Sequence, residues 1–247
     1  MTGLRSGASR LHDVVRFYGS MTLLQGQLGA TRTLAQAHAR MGWPVRGIYF
    51  FFEPGQDRTT SGVGPRVTRI GTHALKAGSR STLWQRLSQH QGNVGGATPG
   101  GGNHRGSVFR LHVGAALIHR DHWPAAQSAT WGVGSNAPRA VRDREQALEQ
   151  AVTRHIRSMP FLWLAVEDEP GPDSLRGYLE RNGIALLSNA GSPGDPVDPA
   201  SPTWLGRWSA RFAILDSGLW NVNHVDQRYD PDFLDVFEDT VRRSSLR

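Results

Sequence analysis

The strongest constraint on the fold lies between residues 46 and 91. An apolar run, Gly47-Ile48-Tyr49-Phe50-Phe51-Phe52, is followed by a second, Val67-Thr68-Arg69-Ile70-Gly71-Thr72, and then by Thr82-Leu83-Trp84-Gln85-Arg86-Leu87-Ser88-Gln89-His90. Read as two strands and a helix, they put Tyr49 on the first strand, Gly71 near the end of the second, and Arg86 and His90 one helical turn apart. One polar helix face thus carries a guanidinium and an imidazole, while Leu83 and Leu87, at the same spacing, pack a neighbouring face against the strands.

The remaining elements are read around this unit. Leu11, Val14, Val15, Phe17, Leu23 and Leu24 predict one or two packed helices within residues 1–30, and residues 31–41 carry a second helical pattern ended by Gly42, Trp43 and Pro44. Residues 53–65 form a longer link than a tight hairpin needs, an extended loop or a mobile tip. Residues 92–106 are too glycine-rich for regular structure and lack the GK[ST] ending of a phosphate loop. In residues 107–114, Phe109, Leu111 and Val113 alternate with Val108, Arg110 and His112, which predicts a half-exposed strand with Arg110 and His112 on one face.

Residues 138–158 predict a long helix with a stripe of Val141, Leu148, Val152 and Ile156, and Glu145 and Glu149 on its solvated side. Residues 161–166 are apolar throughout and read as a buried central strand. Pro170-Gly171-Pro172 breaks the chain before Asp173, the expected N-cap of a helix over 174–187. On that helix Leu175, Leu179, Asn182 and Leu186 form one stripe, with Glu180 about 100° away from it. Residues 190–202 read as a linker; Trp204, Trp208, Phe212, Ile214, Leu215 and Trp220 then read as core, and a last helix starts at about Pro231. The fold expected is α+β, a small antiparallel sheet flanked by helices. It divides into an N-terminal helical segment (1–45), a core (46–189) with an insertion at about 92–160, and a linker with a C-terminal extension (190–247).

Composition narrows the function classes. The chain has 247 residues, 38% of them hydrophobic, enough for one sizeable core. It lacks both a signal-peptide h-region and an apolar run of ~20 residues, which points to a cytoplasmic protein without membrane contact. With no Cys, disulfides and thiolate metal sites are excluded, and a hard ion such as Mg2+ or Mn2+ is favoured over zinc. The formal net charge of +7 attracts polyanions, nucleic acid above all. Of the 28 basic residues only Lys76 is Lys, so the arginine richness also reflects codon usage.

The stretch from 46 to 90 resembles the GIY-YIG nuclease family, in which a GIY strand, a YIG strand and a helix carrying Arg, often followed four residues on by His or Tyr, build half of a phosphodiesterase site. GIY is intact at Gly47-Ile48-Tyr49; the second motif reads Arg69-Ile70-Gly71, so its Tyr is missing. The family's Glu and more distal Asn match Glu180, in Tyr178-Leu179-Glu180-Arg181-Asn182, and Asn189, in Leu187-Ser188-Asn189. The resemblance implies a metal-dependent endonuclease hydrolysing phosphodiesters, with DNA as the partner and restriction, phage defence or repair as the roles open to it. RNA as substrate, or a catalytically degenerate nucleic-acid-binding protein, are the alternatives.

By the same resemblance Glu180 would hold a divalent cation, Arg86 would clamp the phosphate, and Tyr49 or His90 would act as general base or orient the water. Arg69 and Lys76 would add phosphate or phenolate contacts, Asn189 would support Glu180, and Arg80, His104, Arg105 and Arg110 are further candidates for nucleic-acid contact. Two competing motifs are weaker. His119-Arg120-Asp121-His122 fits no zinc spacing, and Asn221-Val222-Asn223-His224 lacks the context of an HNH site; both read as surface loops.

Overall fold

The computed structural model describes residues 7–96, 98–191 and 195–244. Ala97 of the glycine-rich loop, residues 192–194 of the linker and the two extreme ends of the chain lie outside that set. Four strands, β1 (Arg32–Thr33), β2 (Gly47–Asp57), β3 (Pro65–Gly71) and β4 (Pro160–Ala165), form one sheet in the order β1-β4-β2-β3, every pair antiparallel. The helices are α1 (Gly7–Leu28), α2 (Leu83–Gln91), α3 (Val108–Asp121), α4 (Ala125–Ser128), α5 (Arg139–Ser158), α6 (Leu175–Leu187), α7 (Phe212–Ser217) and α8 (Phe233–Ser244). An α+β architecture with a small antiparallel sheet is what the sequence predicts.

Why β2 is apolar over residues 47–52 follows from its place in the middle. Successive side chains of a strand point to opposite faces, and here both faces are covered. Ile48, Phe50 and Phe52 enter a core with Phe17, Met21, Leu162, Leu179 and Phe237, contributed by α1, α6, α8 and the sheet. Tyr49 and Phe51 enter a second core with Leu83, Leu87, Phe109, Val113, Leu148 and Trp220, contributed by α2, α3, α5 and the C-terminal segment. Fully burying one such phenylalanine stabilises the fold by about 1.5–3 kcal/mol.

The free edge of β3 is covered by the C-terminal segment. Trp220 donates its backbone N–H to the Thr68 carbonyl at 2.8 Å, and the Asn221 amide pairs with both backbone groups of Ile70, at 3.1 and 2.8 Å. An unpaired edge is thereby closed. Asn221 is therefore buried, not the surface-loop residue expected.

Several expectations are corrected. Residues 107–114 are not a strand: Ser107 caps α3, and Phe109, Val113, Ala116 and Leu117 supply its buried face. Residues 31–41 form no helix, because Arg32 and Thr33 pair with Phe161 and Pro160 and the Gln91 side chain binds the carbonyls of Leu34 and Ala37 at 2.6 and 2.8 Å. Residues 53–57 and 65 of the 53–65 link are strand, and the tip between them is held by Asp198, whose Oδ1 accepts backbone N–H groups of Thr59, Thr60 and Ser61 at 2.8–3.0 Å. Ser174, not Asp173, caps α6. No helix among the described residues is long and apolar enough to cross a membrane.

Candidate active site

The site forms where β3 ends and α2 and α6 approach the sheet from opposite sides. Tyr49 pairs with Gly71 across the β2–β3 ladder and is fully buried. A Cβ at position 71 would overlap the Tyr49 hydroxyl and stand 2.6 Å from its Cε2. Glycine at this position is what lets the phenol lie across β3.

On α2, Thr82 and Gln85 form a reciprocal capping box that fixes where the helix begins. Two turns on, His90 is buried with Nε2 2.9 Å from Tyr49 Oη and Nδ1 2.7 Å from Ser107 Oγ. Burial first, then the positive charges of Arg86, Arg69 and Arg110, hold its pKa well below the usual imidazole value, so the ring is neutral. Its carbonyl accepts from Arg110 Nη1 at 3.0 Å.

Arg69, where the second motif normally has Tyr, turns inward. Its Nη1 donates to the Trp220 carbonyl at 3.0 Å and its guanidinium lies 4.7 Å from the Phe109 ring centre. Burial lowers its pKa; Tyr49 and Glu180 oppose that shift and Arg86 adds to it, which places all four groups within one electrostatic environment. Arg86 is half-buried, with Nη1 on Gln89 Oε1 at 3.0 Å and its other guanidinium nitrogens without a hydrogen bond among the described residues.

Glu180 reaches the same place from α6. Its Oε1 accepts the Thr72 backbone N–H at 3.1 Å, one residue past Gly71. Burial pushes its pKa up to about 7 against the lowering effects of Arg69, the Thr72 N–H and Arg86. Its Oε2 accepts no hydrogen bond within the described residues. A largely buried carboxylate with a free oxygen and a raised pKa fits a hard cation, which would supply the missing charge. Among the described residues there is no group of three or more His, Asp or Glu that could hold a metal. The protein's share of such a site is one carboxylate, an arrangement suited to an ion that keeps several of its waters.

Other sequence candidates lie elsewhere. Lys76 and Arg80 are exposed on the segment joining β3 to α2. Asn189 does not meet Glu180; its Oδ1 accepts from the Val197 N–H at 2.9 Å and from both terminal nitrogens of Arg10. His104, Arg105 and Arg110 do not face outward. Arg105 is bidentate on Glu145, at 2.7 and 2.9 Å, while Arg110 and His104 share Glu149, at 2.5 and 2.9 Å, so Glu145 and Glu149 are buried partners and not the solvated face expected. The sequence reading missed Ser107, although a Ser directly before an apolar helix is an N-cap signal. It also missed two buried imidazoles, His73 and His112, each pushed down to about 4 mainly by burial, with Arg176 acting on the first and Arg69 on the second.

A comparison with protein-family models matches a GIY-YIG domain over residues 8–247. The chain belongs to the GIY-YIG family. No curated protein and no solved structure gives a significant match. Membership implies a nuclease-type function, and the GIY-YIG motifs map onto the geometry above: Tyr49 and Gly71 face each other across β2 and β3, and Arg69 occupies the position of the absent second tyrosine.

Proposed function

We propose that this GIY-YIG protein is a metal-dependent endonuclease that hydrolyses phosphodiester bonds in DNA. The observation that carries the reading is the convergence of Glu180, Arg69, Arg86 and the Tyr49–His90 pair at the end of β3. Phosphodiester hydrolysis needs an activated water, stabilisation of charge on the non-bridging oxygens and help for the departing oxygen. Arg86 has guanidinium donors left for a phosphate, in a planar fork that a Lys cannot reproduce. Arg69 adds positive charge beside the Tyr49 oxygen. The Tyr49–His90 pair supplies the groups that hold and move a proton at the attacking water. Glu180 would hold Mg2+ or Mn2+, which when bound supplies Lewis-acid stabilisation of the phosphate and the leaving oxygen.

DNA is favoured as substrate by the net charge of +7, with Lys76 and Arg80 exposed on the β3–α2 segment. A second reading, a nucleic-acid-binding protein without catalysis, is favoured by one feature, Arg69 in place of the motif tyrosine. The test is cleavage of supercoiled plasmid and of labelled single-stranded DNA and RNA, with magnesium or EDTA, by wild type, Glu180→Ala and Arg86→Ala. Magnesium-dependent cutting by wild type, lost in both folded variants, upholds the nuclease. Salt-dependent binding with no cutting of any substrate overturns it in favour of the binding protein.

A further inference from the structure

We propose that the surface formed by Arg207, Trp208, Arg211 and Phe212 is a binding platform for an unpaired DNA strand, its two rings stacking on bases and its two guanidiniums taking phosphates. This rests on the proposed nuclease reading and deepens it, because it names DNA with unpaired bases as the substrate class.

The stretch Arg207-Trp208-Ser209-Ala210-Arg211-Phe212 interleaves basic and aromatic residues, and residues 199–215 contain no acid. Trp208, Phe212 and Leu215, expected as core, are instead 48%, 76% and 44% exposed. The scaffold beneath them is fixed. Leu205, from the 3-10 turn Leu205–Trp208, and Ile214, from α7, enter the second core, and the Trp204 indole donates to Glu53 Oε2 at 2.9 Å, the oxygen that also accepts from Trp220. Trp204 and Trp220 pack against each other, whereas neither Trp208 nor Phe212 meets another ring among the described residues. Arg207 donates through Nε and Nη2 to the carbonyls of Ser201 and Ala200, both at 2.8 Å, which holds its charge in place. Neither it nor the exposed Arg211 pairs with an acid among the described residues.

This combination selects the partner. Two uncompensated guanidiniums attract a polyanion, and an exposed ring adds to its binding only where a base offers its own face. In a duplex those faces are covered by neighbouring base pairs, so stacking is open to an unpaired strand. The platform also adjoins the site, through α3. The 3-10 turn packs on α3, whose capping residue Ser107 meets His90 at 2.7 Å. Val108, 47% exposed, shares a helix face with His112 one turn on, and that imidazole feels the positive charges of both Arg69, in the site, and Arg211, on the platform. A strand leaving the site along α3 meets Arg211 and Phe212.

The test is fluorescence anisotropy in EDTA, with a labelled DNA single strand and the same sequence as a blunt duplex, for wild type, Trp208→Leu, Phe212→Leu and Arg211→Gln, each shown to be folded by its Tm. Leucine keeps the apolar contact and removes the ring. Each leucine variant should bind the single strand about 10-fold more weakly, within the range of one base–aromatic stack, with duplex affinity unchanged. Arg211→Gln should reduce the slope of log affinity against log salt for the single strand by about 0.7, the share of one phosphate contact. Single-strand affinity unchanged in both leucine variants, or lost equally for single strand and duplex, overturns the proposal. So does a shift in oligomeric state on size exclusion with DNA binding intact, which would make the rings a protein interface. The assay needs no cleavage, so a wild type that cuts nothing yet binds as expected refutes the nuclease reading alone, and one that cuts with an inert platform refutes the platform alone.

Discussion

Gly71 lies directly under the Tyr49 ring: the two residues are partners across the β2–β3 ladder, and any side chain at 71 would occupy the space of the phenol oxygen. The glycine is there for close approach and not for an unusual backbone angle, since it has no positive φ. Gly71→Ala should therefore displace the Tyr49 hydroxyl from His90 while leaving strand pairing in place. Overpacking of this kind costs about 1–3 kcal/mol, or several degrees of Tm for a chain of this size. Cleavage under single-turnover conditions should fall by about 10²-fold or more. Wild-type activity in a folded Gly71→Ala protein would remove Tyr49 from the chemistry.

Glu180 combines a raised pKa with an oxygen that no group among the described residues satisfies. Glu180→Gln keeps the shape and the Thr72 contact and removes the charge. Magnesium should lift the Tm of wild type, by the linkage that stabilises any protein binding a ligand only when folded, and should leave the Tm of Glu180→Gln unchanged. An equal magnesium response in both proteins would place the cation elsewhere.

The parts of the fold that are local were legible in the sequence. The first half of β2, residues 47–52, shows as an unbroken apolar run because both its faces are covered, and α2 shows through Leu83 and Leu87, both buried as their spacing required. Residues 107–114 misled because eight residues with apolar groups at 109, 111 and 113 satisfy a period of two, and the helix becomes visible only when Ala116 and Leu117 are added. Glu145 and Glu149 misled for another reason: a charged helix face is solvated unless distant residues cover it, and Arg105 and Arg110 do so from about 40 positions away. The site divides in the same way. Tyr49, Gly71 and the α2 pair sit in recognisable motifs, whereas the contacts of Glu180 with Thr72, of Ser107 with His90 and of Arg69 with Trp220 depend on tertiary placement. The misassignment of Asn189 has that origin too, since chain order alone did not reveal that Arg10 and Val197 take up its amide oxygen.

Arg110 is the hinge between scaffold and site. It pairs with Glu149, binds Thr153 at 2.9 Å and donates to the His90 carbonyl, all with no exposed surface. A Cβ at Gly102 would overlap this guanidinium, which accounts for one glycine of the 92–106 loop. Removing the acid strands a buried cation, a change that typically costs about 3–5 kcal/mol. Glu149→Ala should thus lower Tm by on the order of 10 °C. Arg110→Met combined with Glu149→Leu should recover much of that loss, because neither charge then remains buried alone. Thermal unfolding of the single and double variants checks this; a double variant no more stable than Glu149→Ala would show that the pair does more than neutralise itself.

Stability against pH follows from which groups resist ionising in the fold. His73 and His112 have pKa values near 4, and His90 is also depressed, against an unfolded value near 6.5. Between those limits the unfolded chain binds more protons, so stability rises with pH from about 4 to 6.5. Glu180 acts in the opposite sense. Its folded pKa of about 7 lies above the unfolded carboxyl value near 4.3, so over that interval the folded chain holds the extra proton and stability falls as pH rises. Three histidines against one carboxylate give a net rise through about pH 6.5 that flattens above 7, where the unfolded histidines have lost their protons and Glu180 has ionised. In EDTA, Glu180→Gln should remove the opposing contribution of Glu180, making the variant more stable than wild type at pH 8 and nearly equal to it at pH 4. His112→Asn should flatten the acid limb. Denaturant midpoints for the three proteins from pH 4 to 8 measure both effects, and a Glu180→Gln protein less stable than wild type at pH 8 would contradict the raised carboxyl pKa on which the cation assignment depends.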